Sequence, residues 1–177
     1  MKSIVVSVLR NWILGLGIII LGSLWSCSEP PASKPIKKQT YEPKFRKDGE
    51  GFLISGSDTL KFLDIEFAKT SEQIQYGMMY RKSMDSNTGM LFFMPRQETQ
   101  SFYMRNTYVS LDIVFLDRDG RVVSIQKNAQ TLSDKSLPSE GPAKYVFEIK
   151  GGVSDLIGLK KGDQVTHSTF NFKDILC

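Results

Sequence analysis

Carboxylates set into apolar runs are the residues in this sequence with the clearest capacity for chemistry. Asp64, Glu66, Asp112, Asp117 and Glu148 all fall on or beside segments rich in Val, Ile, Leu and Phe. Two carboxyls facing each other across such a scaffold can divide the roles of acid and base, as glycoside-cleaving enzymes do. A lone strand carboxylate is equally a solvated side chain or half of an ion pair. The pairing expected here is Arg81 with Asp112, a cation on a helix meeting an anion on a strand. Arg105-Asn106-Thr107 is the second candidate: a cation, an amide and a hydroxyl in three consecutive positions, after one strand and before a loop, where binding groups tend to collect. The alternative is an Asx turn, with Asn106 bonded to its own backbone. Ser139, beside the expected long loop over residues 127–142, joins Arg81, Arg105, Asn106, Thr107 and Asp112 in the candidate binding set.

Soft-metal and nucleophilic chemistry have thinner support. Met78, Met79, Met84, Met90, Met94 and Met104 are six of the seven methionines, confined to one stretch. Thioethers select Cu(I), with Met78, Met90 and Met104 as the candidate ligands, but methionine also fills irregular cores, and packing is the reading preferred. No other metal site and no cofactor is expected. His167 is the only histidine, so a Cys177–His167 pair would rest on a thiol at the chain terminus, without the orientation such a nucleophile needs. Asp117-Arg118-Asp119-Gly120 resembles the start of a calcium loop but lacks the later acidic ligands; a hairpin turn accounts for it.

These groups must be positioned by strands. Residues 52–55 and 60–67 read as the first two, the second alternating through Leu63, Ile65 and Phe67. A helix is predicted over residues 70–82. Thr70 and Gln73 form a capping-box pair, Glu72 suits the first turn, and Ile74, Met78 and Arg81 share a face at helical spacing. Further strands are predicted at 90–94, ended by Pro95, and at 101–104. A hairpin follows over 111–116 and 121–126 with Asp and Gly at its turn. Strands at 144–149 and 164–170 complete the set, with one helical turn between 151 and 158. The fold class is mainly β (α+β): a small β-sandwich or barrel-like domain with one main covering helix at about 70–82.

The N-terminus carries a different message. Lys2 and Arg10 are the only charges before Glu29, and an apolar run follows them, the pattern of a secretory signal. The run is shorter than a bilayer-spanning helix of roughly 20 residues, although residues 4–25 approach that length if Arg10 snorkels. Leu24-Trp25-Ser26-Cys27 resembles the lipobox of bacterial lipoproteins, with Trp25 bulkier than usual at its position. The resemblance implies cleavage before Cys27, lipid on that cysteine, and anchoring by more than one acyl chain. The expected organisation is a signal peptide over 1–26, a Pro- and Lys-rich tether over 27–48, and one domain over 49–177. Cys27 would then be consumed by lipid, leaving Cys177 without an intramolecular disulfide partner. The chain has 23 Lys and Arg against 19 Asp and Glu. Two of the basic residues lie in the signal, so the mature chain carries +2, with no basic face to bind nucleic acid. The expected partners are the membrane, through the lipid, and a small molecule or another envelope protein.

Ordered motifs through the domain carry a further resemblance. Gly77-Met78-Met79-Tyr80-Arg81, Gly89-Met90-Leu91-Phe92-Phe93, Phe102-Tyr103-Met104-Arg105-Asn106-Thr107 and Leu111-Asp112-Ile113-Val114-Phe115-Leu116-Asp117 come first. Tyr145-Val146-Phe147-Glu148-Ile149, Gly151-Gly152 and Lys161-Gly162-Asp163 follow. Together they resemble the domain of unknown function family number 192, over roughly residues 60–165. Its usual Trp, Lys and Pro are replaced here by Tyr103, Arg105 and Ser110, so the loop 107–110 is expected to be less fixed. The resemblance implies a compact, mainly β fold and no established activity. Three readings stay open: a lipid-anchored binding or accessory module with a polar cleft, a carboxylate-dependent hydrolase acting on a sugar or cell-wall substrate, and a structural partner of another envelope protein.

Overall fold

The computed structural model describes residues 42–168; Cys27 and Cys177 lie outside them. The elements are β1 (Gly49–Ser55), β2 (Asp58–Ala68), α1 (Ser71–Tyr76), β3 (Thr88–Phe102), β4 (Leu111–Leu116), β5 (Val122–Ala129), β6 (Leu137–Lys150), α2 (Val153–Leu156) and β7 (Gln164–His167). The strands form one sheet in the order β5-β4-β6-β3-β2-β1-β7. Only β2 and β3 run parallel, because α1 and the loop behind it carry the chain back to the starting end of the sheet. The sheet curls until its two edges touch. Arg121 bridges Gln164, Val122 N–H donates to the Asp163 carbonyl at 2.8 Å, and Val165 N–H donates to that of Gly120 at 2.9 Å. The mainly β, barrel-like expectation holds.

Alternation divides the apolar side chains between two clusters. Every strand contributes to the first, which fills the inside of the curl with Leu53, Ile65, Leu91, Val114, Val122, Phe147 and Val165 among others. The second lies on the opposite face of the central strands and includes Met90, Phe92, Ile113, Phe115 and Val146, with Met78 and Met104 from the covering loops. Residues 66, 90, 113 and 148 all point to this second face by the period-2 rule.

Three elements differ from expectation for physical reasons. The covering helix stops at Tyr76 instead of reaching residue 82, although its capping box is present as predicted. Gly77 sits at φ +45° and a Cβ there would come within 2.9 Å of the Phe92 ring, so the chain leaves the helix where only glycine fits. Ile74, Met78 and Arg81 therefore do not share a helical face. The strands expected at 90–94 and 101–104 are one, β3, whose pairing with β6 slips between Phe93 and Glu98. Pro95 lies in that slip, where no ladder donor is required. More than half of the loop expected over 127–142 is strand, since β5 runs on to Ala129 and β6 begins at Leu137. The Asp117–Gly120 turn is a hairpin turn: the Asp117 carboxylate accepts the N–H groups of Asp119 and Arg121, and Gly120 adopts φ +77°. Ser110, in place of the family's usual proline, is held at both ends. Its hydroxyl donates to the Ala129 carbonyl and its own carbonyl accepts Gly151 N–H.

Candidate functional site

A row of side chains crosses the sheet on the second face. Glu66 of β2 is in register with Met90 of β3, Met90 with Glu148 of β6, and Glu148 with Ile113 of β4. Strands lie about 4.8 Å apart, so two acidic side chains stand two strands apart with a methionine between them. The segment 77–81 passes over this row and brings Arg81 down onto it. Arg81 grips Glu66 with both terminal nitrogens, Nη1 to Oε2 at 2.8 Å and Nη2 to Oε1 at 2.9 Å, and both side chains are buried. Such a two-point pair fixes geometry as well as charge. Arg46 adds its backbone N–H to Glu66 Oε2 at 3.2 Å, so both oxygens of Glu66 are held. Residues 42–48 thus reach the site from the N-terminal side. Asp48 also accepts the Phe67 N–H at 2.8 Å, and Glu42 accepts that of Lys82.

Glu148 is in the opposite condition. It is 5% exposed, and its Oε2 has no hydrogen-bond partner. Burial pushes its carboxyl up to about 8, and the charge of nearby Arg81 offsets only part of that rise. The group is therefore mostly uncharged at neutral pH. It faces a pocket of about 190 Å³ bounded by Ile74, Gly77, Met78, Phe92, Phe102 and Thr107, among others. Gly77 lies against both the Phe92 ring and this carboxyl: a Cβ there would come 2.9 Å from the ring and 3.9 Å from Glu148 Oε2. Arg81 Nε, also buried, lacks a partner too. A cleft of about 830 Å³ lies on the Glu66 side, bounded by Phe67, Tyr76, Tyr80 and Arg81. A third, of about 460 Å³, is bounded by Pro43, Phe45, Met84 and Met90. Tyr76, Gly77 and Met79 wall both the first and the second; Arg81 and Met90 wall the second and the third.

The residues singled out from sequence do not gather at one place. Arg81 is at the site, but the expected Arg81–Asp112 pair does not form: Arg81 is on Glu66. Asp112 is fully buried on the other face of the sheet, where its carboxylate accepts the N–H groups of Asn128, Gly152 and Ser154 at 2.8, 3.1 and 2.8 Å. Backbone donors satisfy it, and no cation is needed. Arg105 is exposed, bonded to Asp134 at 2.7 Å and lying over the Tyr103 ring. Asn106 adopts φ +54°, and its amide donates to the Tyr80 hydroxyl rather than to its own backbone. Tyr80, itself at φ +65°, returns its N–H to the Asn106 carbonyl, so Asn106 serves as a clip on the 77–81 segment. Thr107 is buried and lines the Glu148 pocket. Ser139 is buried in β6, accepting Gln100 N–H and donating to the Gly141 carbonyl, a strand-pairing role. Met78, Met90 and Met104 all pack in the second apolar cluster. Among the described residues, no group of three or more His, Cys, Asp or Glu is placed to hold a metal. His167 packs edge-on against Phe67, and burial and the charge of Lys69 lower it to about 4.

Glu66 and Glu148 stood among the strand carboxylates but were not singled out for the site. The signal was present in Val146-Phe147-Glu148-Ile149: a charge inside an unbroken apolar run cannot turn to water when both faces of its strand are covered.

Comparison with known proteins agrees with this architecture. A crystal structure of a protein of unknown function from Novosphingobium aromaticivorans DSM 12444 is 34% identical, with a TM-score of 0.63 over 66% of this chain and 83% of that one. Another, of a protein described as a candidate transcription regulator from Sinorhizobium meliloti 1021, is 32% identical, with a TM-score of 0.65 over 67% and 92%. No curated protein matches the chain. The model of family DUF192, described as "Uncharacterized ACR, COG1430", matches residues 53–167. The segment 77–81, Glu66 and Glu148 all fall inside that match, and the chain belongs to this uncharacterised family.

Proposed function

We propose that this protein is a ligand-binding module of the bacterial cell envelope, held to a membrane by lipid on Cys27, and that its binding site is the Glu148 pocket beneath residues 77–81. The observation that carries the reading is the buried Glu148 carboxyl with one oxygen unmatched. An unsatisfied buried polar group costs about 1–3 kcal/mol, and a strand residue in an apolar cluster has apolar substitutes that avoid the cost. Groups retained against stability mark sites where an incoming partner completes the bonding. The pocket is concave, mainly apolar and furnished with few polar groups, as small-molecule sites are. The hydrolase reading asks for a free base beside an acid. Glu66, with Arg81 and Arg46 on its oxygens, is not free, so binding is favoured over hydrolysis. The envelope assignment rests on the signal-like N-terminus and on Leu24-Trp25-Ser26-Cys27.

Thermal-shift profiling of the full chain in detergent against a panel of small polar metabolites tests the site. At least one compound is expected to raise the melting temperature of wild type and not of Glu148→Met. A panel without any Glu148-dependent hit sinks the reading. Metabolic labelling with a fatty-acid probe tests the anchor: label is expected on wild type and absent from Cys27→Ser, and label retained by that variant refutes it.

A further inference from the structure

We propose that the Glu148 pocket receives a small organic ammonium ion, with the Glu148 carboxylate as its counter-charge; this rests on the reading of the pocket as a binding site. The charge balance of the row is the first argument. Arg81 spends both terminal nitrogens on Glu66, so that pair is internally neutral. Glu148 is left as an acid without a cation of its own, and no cationic side chain lines its pocket. The lining is the second argument. Tyr76, Phe92, Phe102 and Tyr103 contribute aromatic rings, and Met78, Met79 and Met94 contribute polarisable sulfur. Aromatic faces attract cations through their quadrupole, an advantage that a neutral guest of the same shape does not enjoy. Space is the third: a volume of about 190 Å³ with Glu148 in its wall suits an ion of a few heavy atoms.

The mechanism is an exchange of one cation for another. The proton that neutralises Glu148 leaves to solvent as the ammonium ion enters, and no covalent bond other than O–H is broken. The charged and titratable groups around Glu148 are Arg81 from the 77–81 segment, Glu66 from β2, Tyr76 from α1 and Tyr103 after β3; its strand neighbours Met90 and Ile113 do not titrate. Ligand affinity then follows the ionised fraction of Glu148. With that carboxyl near 8, affinity rises about tenfold from pH 6 to pH 7 and levels off above pH 8.

Isothermal titration of the full chain in detergent with methylammonium, tetramethylammonium and choline, and with 3,3-dimethylbutan-1-ol as the uncharged match to choline, is the test. The cations are expected to bind with the stated pH dependence and to release about one proton at pH 6–7, read from buffers of different ionisation heat. Glu148→Gln, which keeps the neutral form's shape, should weaken them at least about tenfold, and Phe102→Leu should weaken tetramethylammonium more than methylammonium. Equal, pH-independent binding of the alcohol and choline overturns the ammonium proposal while leaving a binding site. No cation binding up to pH 9 also overturns it. The binding reading itself falls only if the metabolite panel produces no Glu148-dependent hit either.

Discussion

Asp112 and Glu148 are near neighbours on paired strands, and the sheet treats them in opposite ways. Asp112 is in register with Ile149, and Glu148 with Ile113, so one step along the ladder separates them. That step turns their side chains to opposite faces. Asp112 meets the start of α2 and the end of β5, where three N–H groups converge on its two oxygens. Glu148 meets a methionine-rich cluster and finds only the indirect field of Arg81. The first carboxylate ties β4 to the chain beyond β6; the second adds nothing to cohesion. Burial alone therefore does not separate a carboxyl that ties strands together from one left unmatched, and the count of donors does.

The largest expected effect is at the satisfied acid. Asp112→Ala strips three backbone N–H groups of their acceptor, two of them part-buried, and should destabilise the domain by about 3–5 kcal/mol, read from denaturant melts. Arg81→Ala should cost somewhat less, about 2–4 kcal/mol, because buried Glu66 keeps a contact with Arg46. It should be additive with Asp112→Ala and non-additive with Glu66→Gln. Coupling between residues 81 and 112 would mean that the two faces communicate. Exposed Arg105, replaced by Ala, should stay within about 0.5 kcal/mol, which contrasts the two arginines directly. The effect at the unsatisfied acid has the opposite sign: Glu148→Met should stabilise by about 1–2 kcal/mol at pH 7. The same carboxyl sets a pH slope. Its folded value of about 8 lies above the ordinary 4.5, so the folded state binds the extra proton between them. Its contribution is full below pH 4.5 and is lost as pH rises through 8. Wild-type stability should fall across that window, and Glu148→Gln should flatten the fall. A loss deepening only below pH 6.5 would instead report His167, whose folded value is lowered to about 4.

The strands were legible because their apolar residues alternate or run on without a break, and the capping box at Thr70 and Gln73 was legible because it is local. The end of α1 was not. Helical spacing continues through Met78 and Arg81, and only the close approach of Phe92 to Gly77, a contact between residues distant in the chain, stops the helix. The Arg81 partner was misread for the same reason. Choosing Glu66 over Asp112 requires knowing that β2 and β3 are parallel neighbours and that α2 supplies Asp112 with backbone donors. The role of Arg46 was hidden in a stretch whose Pro- and Lys-rich composition reads as tether, although two residues of it, Arg46 and Asp48, bond to β2.

The meeting of Arg121 with Gln164 has a colloidal consequence. A strand at the margin of a sheet offers a row of free amide and carbonyl groups on which another chain can template itself. Here β7 has only four residues, and the turn before β5 occupies part of its outer side. Side chains of β5 also hold the start of β6: Ser124 Oγ accepts the Glu140 N–H and Gln126 Nε2 donates to the Pro138 carbonyl. Little template is left where that turn meets β7. Molecules crowded side by side can then collide without zipping into an extended sheet, and a substitution that parts Arg121 from Gln164 should be felt first as a tendency to aggregate, before any loss of fold.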